Sequence, residues 1–244
     1  MKLPFVEGDK RDTNLLASTL KSYSVKAVVH FAGLKAVGES VQNPLEYYDS
    51  NVGGTISLLN AMTGVGIKRL VFSSSATVYG ESQYLSLDEA PPRSASNPYG
   101  RTKLQIENIL EDLAESDASW CITCLRYFNP VGAHDSGLIA EDPSGLPNNL
   151  IPFLARVAAG KLPCLNIFEG DYDTPDGTGV RDYIHVMDLA EGHLAAVNLV
   201  SAEGAPFEAF NLGTGRGQSV LEILKAFEQA SGLSIEPDCS EACG

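Results

Sequence analysis

The 244-residue chain predicts an α/β fold: a doubly wound parallel sheet with a smaller ligand-binding lobe. Three observations predict it. Short continuous apolar runs such as Ala27-Val28-Val29-His30-Phe31-Ala32-Gly33 alternate with longer stretches of helical periodicity, the pattern of strand-helix-strand units joined by crossovers. Those runs end in small or hydroxylated residues, where ligands dock beyond the carboxyl ends of parallel strands. After Asn129-Pro130 the texture changes to Gly- and Pro-rich loop with scattered helices, which suits a separate lobe.

The elements follow in order. Ala27–Gly33 reads as a buried strand, and Leu45 to Met62 as one helix by its apolar spacing. A second strand runs from Arg69 to Ser73. Asn97-Pro98 opens the next helix, with Asn as cap and Pro at the first position, and its apolar residues continue to Leu113. Cys121 to Tyr127 is the third strand and Phe207 to Leu212 a strand returning to the same sheet. Ser219-Val220-Leu221-Glu222 is a capping box opening a helix to Ala230. The division expected from this is 1–129 for the main domain and 130–244 for the smaller lobe.

A formal net charge of −14 excludes nucleic acid and acidic membrane surfaces as partners, because the dominant electrostatic contribution would be repulsive. The first ten residues hold no apolar core long enough for a secretory signal, and no stretch approaches a membrane span, so cytoplasm is the expected compartment. Five cysteines, at 121, 124, 164, 239 and 243, form no dense disulfide framework and read as reduced thiols. The Cys121-x-x-Cys124 spacing sits inside a strand, which sends the thiols to opposite faces. His30 and His185 lie in apolar runs without an acidic ligand cluster and read as core or supporting residues, so no metal is expected. Gly213-Thr214-Gly215-Arg216-Gly217 lacks both the dinucleotide register and the phosphate-loop lysine, and reads as a tight structural turn.

The chemistry-bearing pattern is Tyr99-Gly100-Arg101-Thr102-Lys103 with Val71-Phe72-Ser73-Ser74-Ser75-Ala76-Thr77 upstream. At i and i+4 a phenol and an ammonium share one helix face, where the cation stabilises a phenolate. Bringing a tyrosine from about 10 to about 7 requires roughly 4 kcal/mol of preferential phenolate stabilisation. Ser75, with Thr77 near it, is placed to hold an alcohol beside that phenol.

On these strings, with His30 to Ser40, Leu125 to Ala133, Pro147-Asn148-Asn149-Leu150 and Asp176 to Leu189, the chain resembles the extended short-chain dehydrogenase/reductases of the NAD-dependent epimerase/dehydratase family, over nearly its whole length. The resemblance implies a Rossmann-like domain, tightly held NAD and UDP-sugar substrates. The implied activity is interconversion of UDP-glucose and UDP-galactose through a 4-keto sugar. It implies Tyr99 as base, with Lys103 and Ser75 as its catalytic partners. Asp9 is implied as adenine contact, and Phe31, Ala32, Gly33, Lys35, Asn51 and Tyr127 as further cofactor contacts. Asn129, Asn149, Leu150, Phe168, Arg181 and Tyr183, with Ser75, are implied to surround the substrate. A homodimer formed through the helices at Leu45 to Met62 and Pro98 to Leu113 is implied as well.

The family's pattern also includes a Gly-rich strand-turn-helix before the equivalent of Met1 and an Arg- and Asp-containing segment after Gly244, so the expected Rossmann-like domain is N-terminally truncated. That leaves open a second reading, a non-catalytic UDP-sugar binder or dimerising homologue. A nucleotide-sugar 4,6-dehydratase is disfavoured, because the strand end carries Ala76-Thr77 where that elimination wants an acid pair.

Overall fold

Alternate residues of the second strand point into two different apolar clusters, and this buries both faces of the main sheet. In the computed structural model, which describes residues 3–80, 88–90, 92–143, 145–147, 149–167, 172–202, 205–235 and 237–238, the strands β1 (Val28–His30), β2 (Arg69–Ser75) and β3 (Cys121–Tyr127) are joined by Phe207–Leu212. All four are parallel, with Phe207–Leu212 beside β3. Leu70 and Phe72 of β2 face one cluster with Leu58, Leu59, Ile106 and Leu110. Val71 faces the other, with Leu125, Ala196 and Val200. Cys124 belongs to the first cluster and Cys121 packs against the second, so the two thiols are divided by the sheet.

Helices cover each face. α1 (Thr13–Ser22) starts at Asp12, whose carboxylate accepts from the Leu15 amide at 2.9 Å. α2 (Val37–Gln42) and α3 (Pro44–Tyr47) lead into a wide π-helical turn, Tyr48–Gly53, before α4 (Gly54–Val65). The single helix expected from Leu45 to Met62 is therefore interrupted, because one loosened turn leaves the apolar spacing on either side intact. Gly66 ends α4 at φ 77°, a left-handed conformation that favours glycine. α5 (Pro98–Ser116) begins as its cap motif predicts, with Asn97 accepting from the Gly100 amide at 2.8 Å.

Two compact units divide the chain. The first is Met1–Tyr127 with Glu191–Leu212, so the end of β3, most of a late helix and the returning strand belong to it. The second, Phe128–Ala190 with Gly213–Gly244, contains β4 (Asn129–Val131), α6 (Leu150–Ala158), β5 (Leu165–Asn166) and β6 (Val180–His185). α7 (Val186–Ser201) and β7 (Phe207–Leu212) follow, then β8 (Gly217–Ser219), α8 (Val220–Ser231) and β9 (Pro237–Asp238). β6 lies parallel to β4 and antiparallel to β8. Leu154, Leu165, Ile167 and Leu224 form the second unit's core. The capping box of α8 is present, with Ser219 and Glu222 bonded reciprocally. The turn 213–217 wraps a carboxylate of its own chain: the Thr214 and Gly215 amides donate to Asp182 at 2.9 and 2.8 Å.

A charged group lies inside the first unit. Glu107 of α5 is fully buried and receives Arg126 of β3 at 2.8 and 3.0 Å, Arg93 at 3.1 Å and the Ser74 hydroxyl at 2.5 Å. Arg126 also donates to the Tyr79 phenol at 2.8 Å, which donates to Asn211 of β7 at 2.7 Å. Every partner is satisfied, as burial of charge requires.

Candidate functional site

The N-terminus of α5 places Tyr99 and Lys103 beside the carboxyl ends of β1 and β2. Asn97 and Pro98 fix where the helix starts, and the Tyr99 amide donates to Ser40 Oγ at 3.2 Å. Lys103 is only 6% exposed; its ammonium donates to the Ser73 carbonyl at 2.6 Å and stands 4.9 Å from the centre of the Phe72 ring and 5.9 Å from that of Tyr99. Ser75 closes β2, accepting from the Thr77 amide at 3.2 Å and its hydroxyl at 3.0 Å, and it lies near enough to the Tyr99 phenol to favour its ionisation. The three consecutive serines divide their work: the Ser74 hydroxyl donates to Glu107, the Ser73 carbonyl accepts from Lys103 and Ser75 accepts from Thr77.

Burial dominates the acidities. It pushes the Tyr99 phenol above its ordinary value, and the Ser75 hydroxyl opposes it. The Lys103 ammonium beside it is engaged by the Ser73 carbonyl. Lys103 itself is brought down to about 8, first by burial and next by the nearby Lys10 ammonium. Since the folded-state pKa lies below the unfolded value near 10.5, the unfolded chain binds more protons between about 8 and 10.5, and stability rises with pH across that window. Between pH 7.5 and 9.5 this group should contribute a gain of about 2 kcal/mol. Urea unfolding of the parent and of Lys103→Met at both pH values measures it; an equal pH response in the two proteins would disprove it.

At the end of β1 the chain is open. The strand stops at His30, before the Gly33 expected to close it. Phe31 is 60% exposed. A side chain at Gly33 would come within 3.2 Å of Asn51 Oδ1 and 3.8 Å of Lys103 Nζ, so backbone lies bare there. Asn51, on the π-helical turn, is buried; its Oδ1 accepts from the Leu34 amide at 2.8 Å, and its Nδ2 donates to the Leu34 carbonyl at 3.0 Å and to Thr102 at 3.2 Å. Lys10 donates to the Ala32 carbonyl at 3.0 Å. Two ammoniums thus flank a bare, small-residue loop, and neither meets a carboxylate at ion-pair distance among the described residues. Bare backbone, an exposed aromatic ring and excess positive charge fit a dinucleotide. Lys35 lies exposed in the following loop. Asp9 is the exception: both carboxylate oxygens are held by Arg11, at 2.5 to 3.1 Å, which pulls the acid down to about 2 while bridging to Asp49 at 2.6 Å.

His30 is buried, pairs with Thr55 at 2.9 Å and is kept neutral to about 3 by burial and the two lysines. His185 is exposed, so of the two readings, core or supporting, it takes the second: its ring accepts from the Met187 amide at a helix start. Sequence reasoning did not single out Lys10, Ser73 or His193. His193 on α7 hydrogen-bonds the Tyr127 phenol and stacks with Phe31 at 4.8 Å between centroids. An ionisable residue within the apolar stripe of α7 was its one sequence signal.

In the second unit, Asn149 caps α6 and donates to Glu141 at 3.1 Å, and Leu150 is the first helical residue. With Phe153, Tyr172, Arg181 and Leu146 these two line a cavity of about 530 Å³. A second cavity of about 400 Å³ takes Asn149 and Leu150 on its other side, with Asn129 and Tyr183. Asn129 donates to the Asp182 carbonyl at 3.1 Å; Arg181 is exposed and donates to the Val180 carbonyl at 2.7 Å. Burial raises the Tyr183 phenol, and Arg181 opposes it. Phe168 lies outside the described residues. Among the described residues no group of three His, Cys, Asp or Glu side chains could hold a metal ion, and no helix is long and apolar enough to cross a membrane.

Residues 1–213 match the model of the NAD dependent epimerase/dehydratase family. The chain is 57% identical over 233 residues to a UDP-glucose 4-epimerase of Cyamopsis tetragonoloba, covering 96% of this chain and 67% of that protein. It is 56% identical over 232 residues to the UDP-glucose 4-epimerase of Homo sapiens, covering 95% and 66%. It thus spans about two thirds of the length of these curated relatives. Among solved structures, the UDP-glucose 4-epimerase of Bifidobacterium longum in complex with NAD+ and UDP superposes with a TM-score of 0.94 at 49% identity, covering 99% of this chain and 72% of that one.

Proposed function

From the membership of this chain in the NAD dependent epimerase/dehydratase family, we propose that it interconverts UDP-glucose and UDP-galactose as an NAD-dependent isomerase. The observation that carries the reading is the meeting of Tyr99, Ser75 and Lys103 beside the bare loop at Gly33. Bound there, NAD supplies a hydride acceptor for carbon 4 of the sugar. Lys10, Phe31, Ala32, Gly33, Lys35, Asn51 and Tyr127 would hold it, with Asp9 toward the adenine. Tyr99 takes the proton of the 4-hydroxyl and later returns it, and Ser75 bridges phenol and alcohol. With the phenol raised by burial, a cation next to it is what makes it a base near neutrality, and Lys103 contributes from beneath. The hydride taken from carbon 4 would return to its opposite face, so the conversion would need no outside oxidant or reductant.

Asn129, Asn149, Leu150, Phe168, Arg181 and Tyr183 hold the UDP-sugar, with the Arg181 guanidinium as a fork for the diphosphate. Incubation with NAD and UDP-galactose should yield UDP-glucose, read by separation of the two sugars. UDP-sugar binding without turnover would instead favour the non-catalytic binder.

The working form we infer is a cytoplasmic homodimer, serving galactose metabolism. Its support is a groove of about 350 Å³ on the outer face of α4 and α5, lined by Ile56, Leu59, Thr63, Ile109 and Leu113, with Ile56 43% exposed. Ile56→Asp should shift the sedimentation profile from dimer to monomer; an unchanged profile would rule out this face.

A further inference from the structure

Tyr127 and His193 form a hydrogen-bonded pair that the reaction as described does not use. Tyr127 ends β3, in register with Ser75 on β2, and its phenol hydrogen-bonds the His193 ring nitrogen Nε2. His193 comes from α7, 66 residues later, and is 9% exposed. Its ring lies between two aromatics, tilted on Phe31 at 4.8 Å and edge-on to Tyr127 at 5.3 Å. Beside this pair, Ser73 of β2 offers its carbonyl to Lys103.

We infer that His193 is a positioning residue that fixes the Tyr127 phenol as a hydrogen-bond acceptor toward the bound dinucleotide. A phenol has one proton to donate and lone pairs with which to accept. With that proton given to Nε2, the oxygen keeps its lone pairs for accepting, and the buried His193 ring fixes their direction. They suit an amide N–H donor such as the carboxamide of NAD. The two tyrosines thereby take opposite roles. A phenolate at Tyr99 discourages a second one at Tyr127, which burial also keeps protonated, so Tyr99 exchanges the proton while Tyr127 retains its own. Phe31 packs against the imidazole at a tilt of 36°. This rests on the proposed use of NAD.

Two measurements test it. In the ¹⁵N spectrum of the imidazole groups, Tyr127→Phe should shift the His193 Nε2 resonance of the unliganded protein; an unmoved resonance overturns the pairing whatever the protein binds. Calorimetric titration with NAD should show about tenfold weaker binding in His193→Phe, which keeps the stacking but loses the acceptor, about the loss of one hydrogen bond. His193→Gln, whose amide oxygen can accept from the phenol, should recover most of it. Parent-like NAD affinity in His193→Phe, or no recovery in His193→Gln, overturns the positioning role. A parent protein that takes up no NAD overturns the functional reading itself, and the cofactor half of the inference with it.

Discussion

Tyr99→Phe should lower the rate of UDP-galactose epimerisation about a thousandfold, within the range that general base catalysis contributes, while leaving UDP-sugar binding in place. The fold has little to lose: the ring stays, the backbone amide keeps its bond to Ser40, and only the contact with Ser75 disappears. A contact of this kind is worth no more than one hydrogen bond, about 1 kcal/mol. Initial rates with NAD and UDP-galactose, beside calorimetric titration with UDP, separate the two effects. Unchanged turnover would mean that another group takes the proton, and Tyr99 would lose its assigned role. Loss of UDP binding along with turnover would mean that the substitution acts through structure.

The second large effect is on stability. Glu107→Ala should destabilise the protein by about 3–5 kcal/mol, because it leaves the Arg126 guanidinium, 4% exposed, buried without its counter-charge. For a chain of this size that corresponds to a fall of about 10 °C in the thermal midpoint. The same reasoning predicts that removing both charges costs less than removing one. Glu107→Leu combined with Arg126→Met should recover a substantial part of the loss, since paired burial gains little over apolar packing. Scanning calorimetry on the single and double variants decides; a double variant no more stable than the single would show that the loss is one of packing instead of unpaired charge.

Local chemistry was the legible part of this sequence. The starts of α5 and α8 lie where Asn97-Pro98 and Ser219-x-x-Glu222 place them, because a cap bonds within four residues and needs nothing distant. β2 and β3 were readable as apolar runs, their burial on both faces being set by composition, and β7 as a run that is only part-buried. β4, β6 and β8 were not, since three- to six-residue strands acquire their identity only from partners up to 54 positions away. Within the site, the i, i+4 spacing correctly gave Tyr99 and Lys103 one helix face, yet it could not give the balance between attraction and desolvation. That balance depends on how deeply Phe72 and Ser73 enclose the ammonium. Asp9 illustrates the reverse case: Arg11 stands two residues away in the sequence, and only the folded geometry shows that the guanidinium occupies both oxygens. His193 escaped notice because its partner Tyr127 lies on another element 66 residues earlier.

The loosened turn at Tyr48–Gly53 has a bearing on how much length variation this segment can tolerate. An α-helix advances about 100° per residue, so a turn that accommodates one additional residue lets α3 and α4 each keep their own phase against the sheet. It also aims Asn51 inward, where one amide ties the loop after β1 to α5 through Leu34 and Thr102. Loss of one residue here would tighten the segment into a regular helix, rotating one half relative to the other and swinging Asn51 away from both of its neighbours. The irregularity acts as a spacer, and the geometry around Gly33 depends on its being one residue too long.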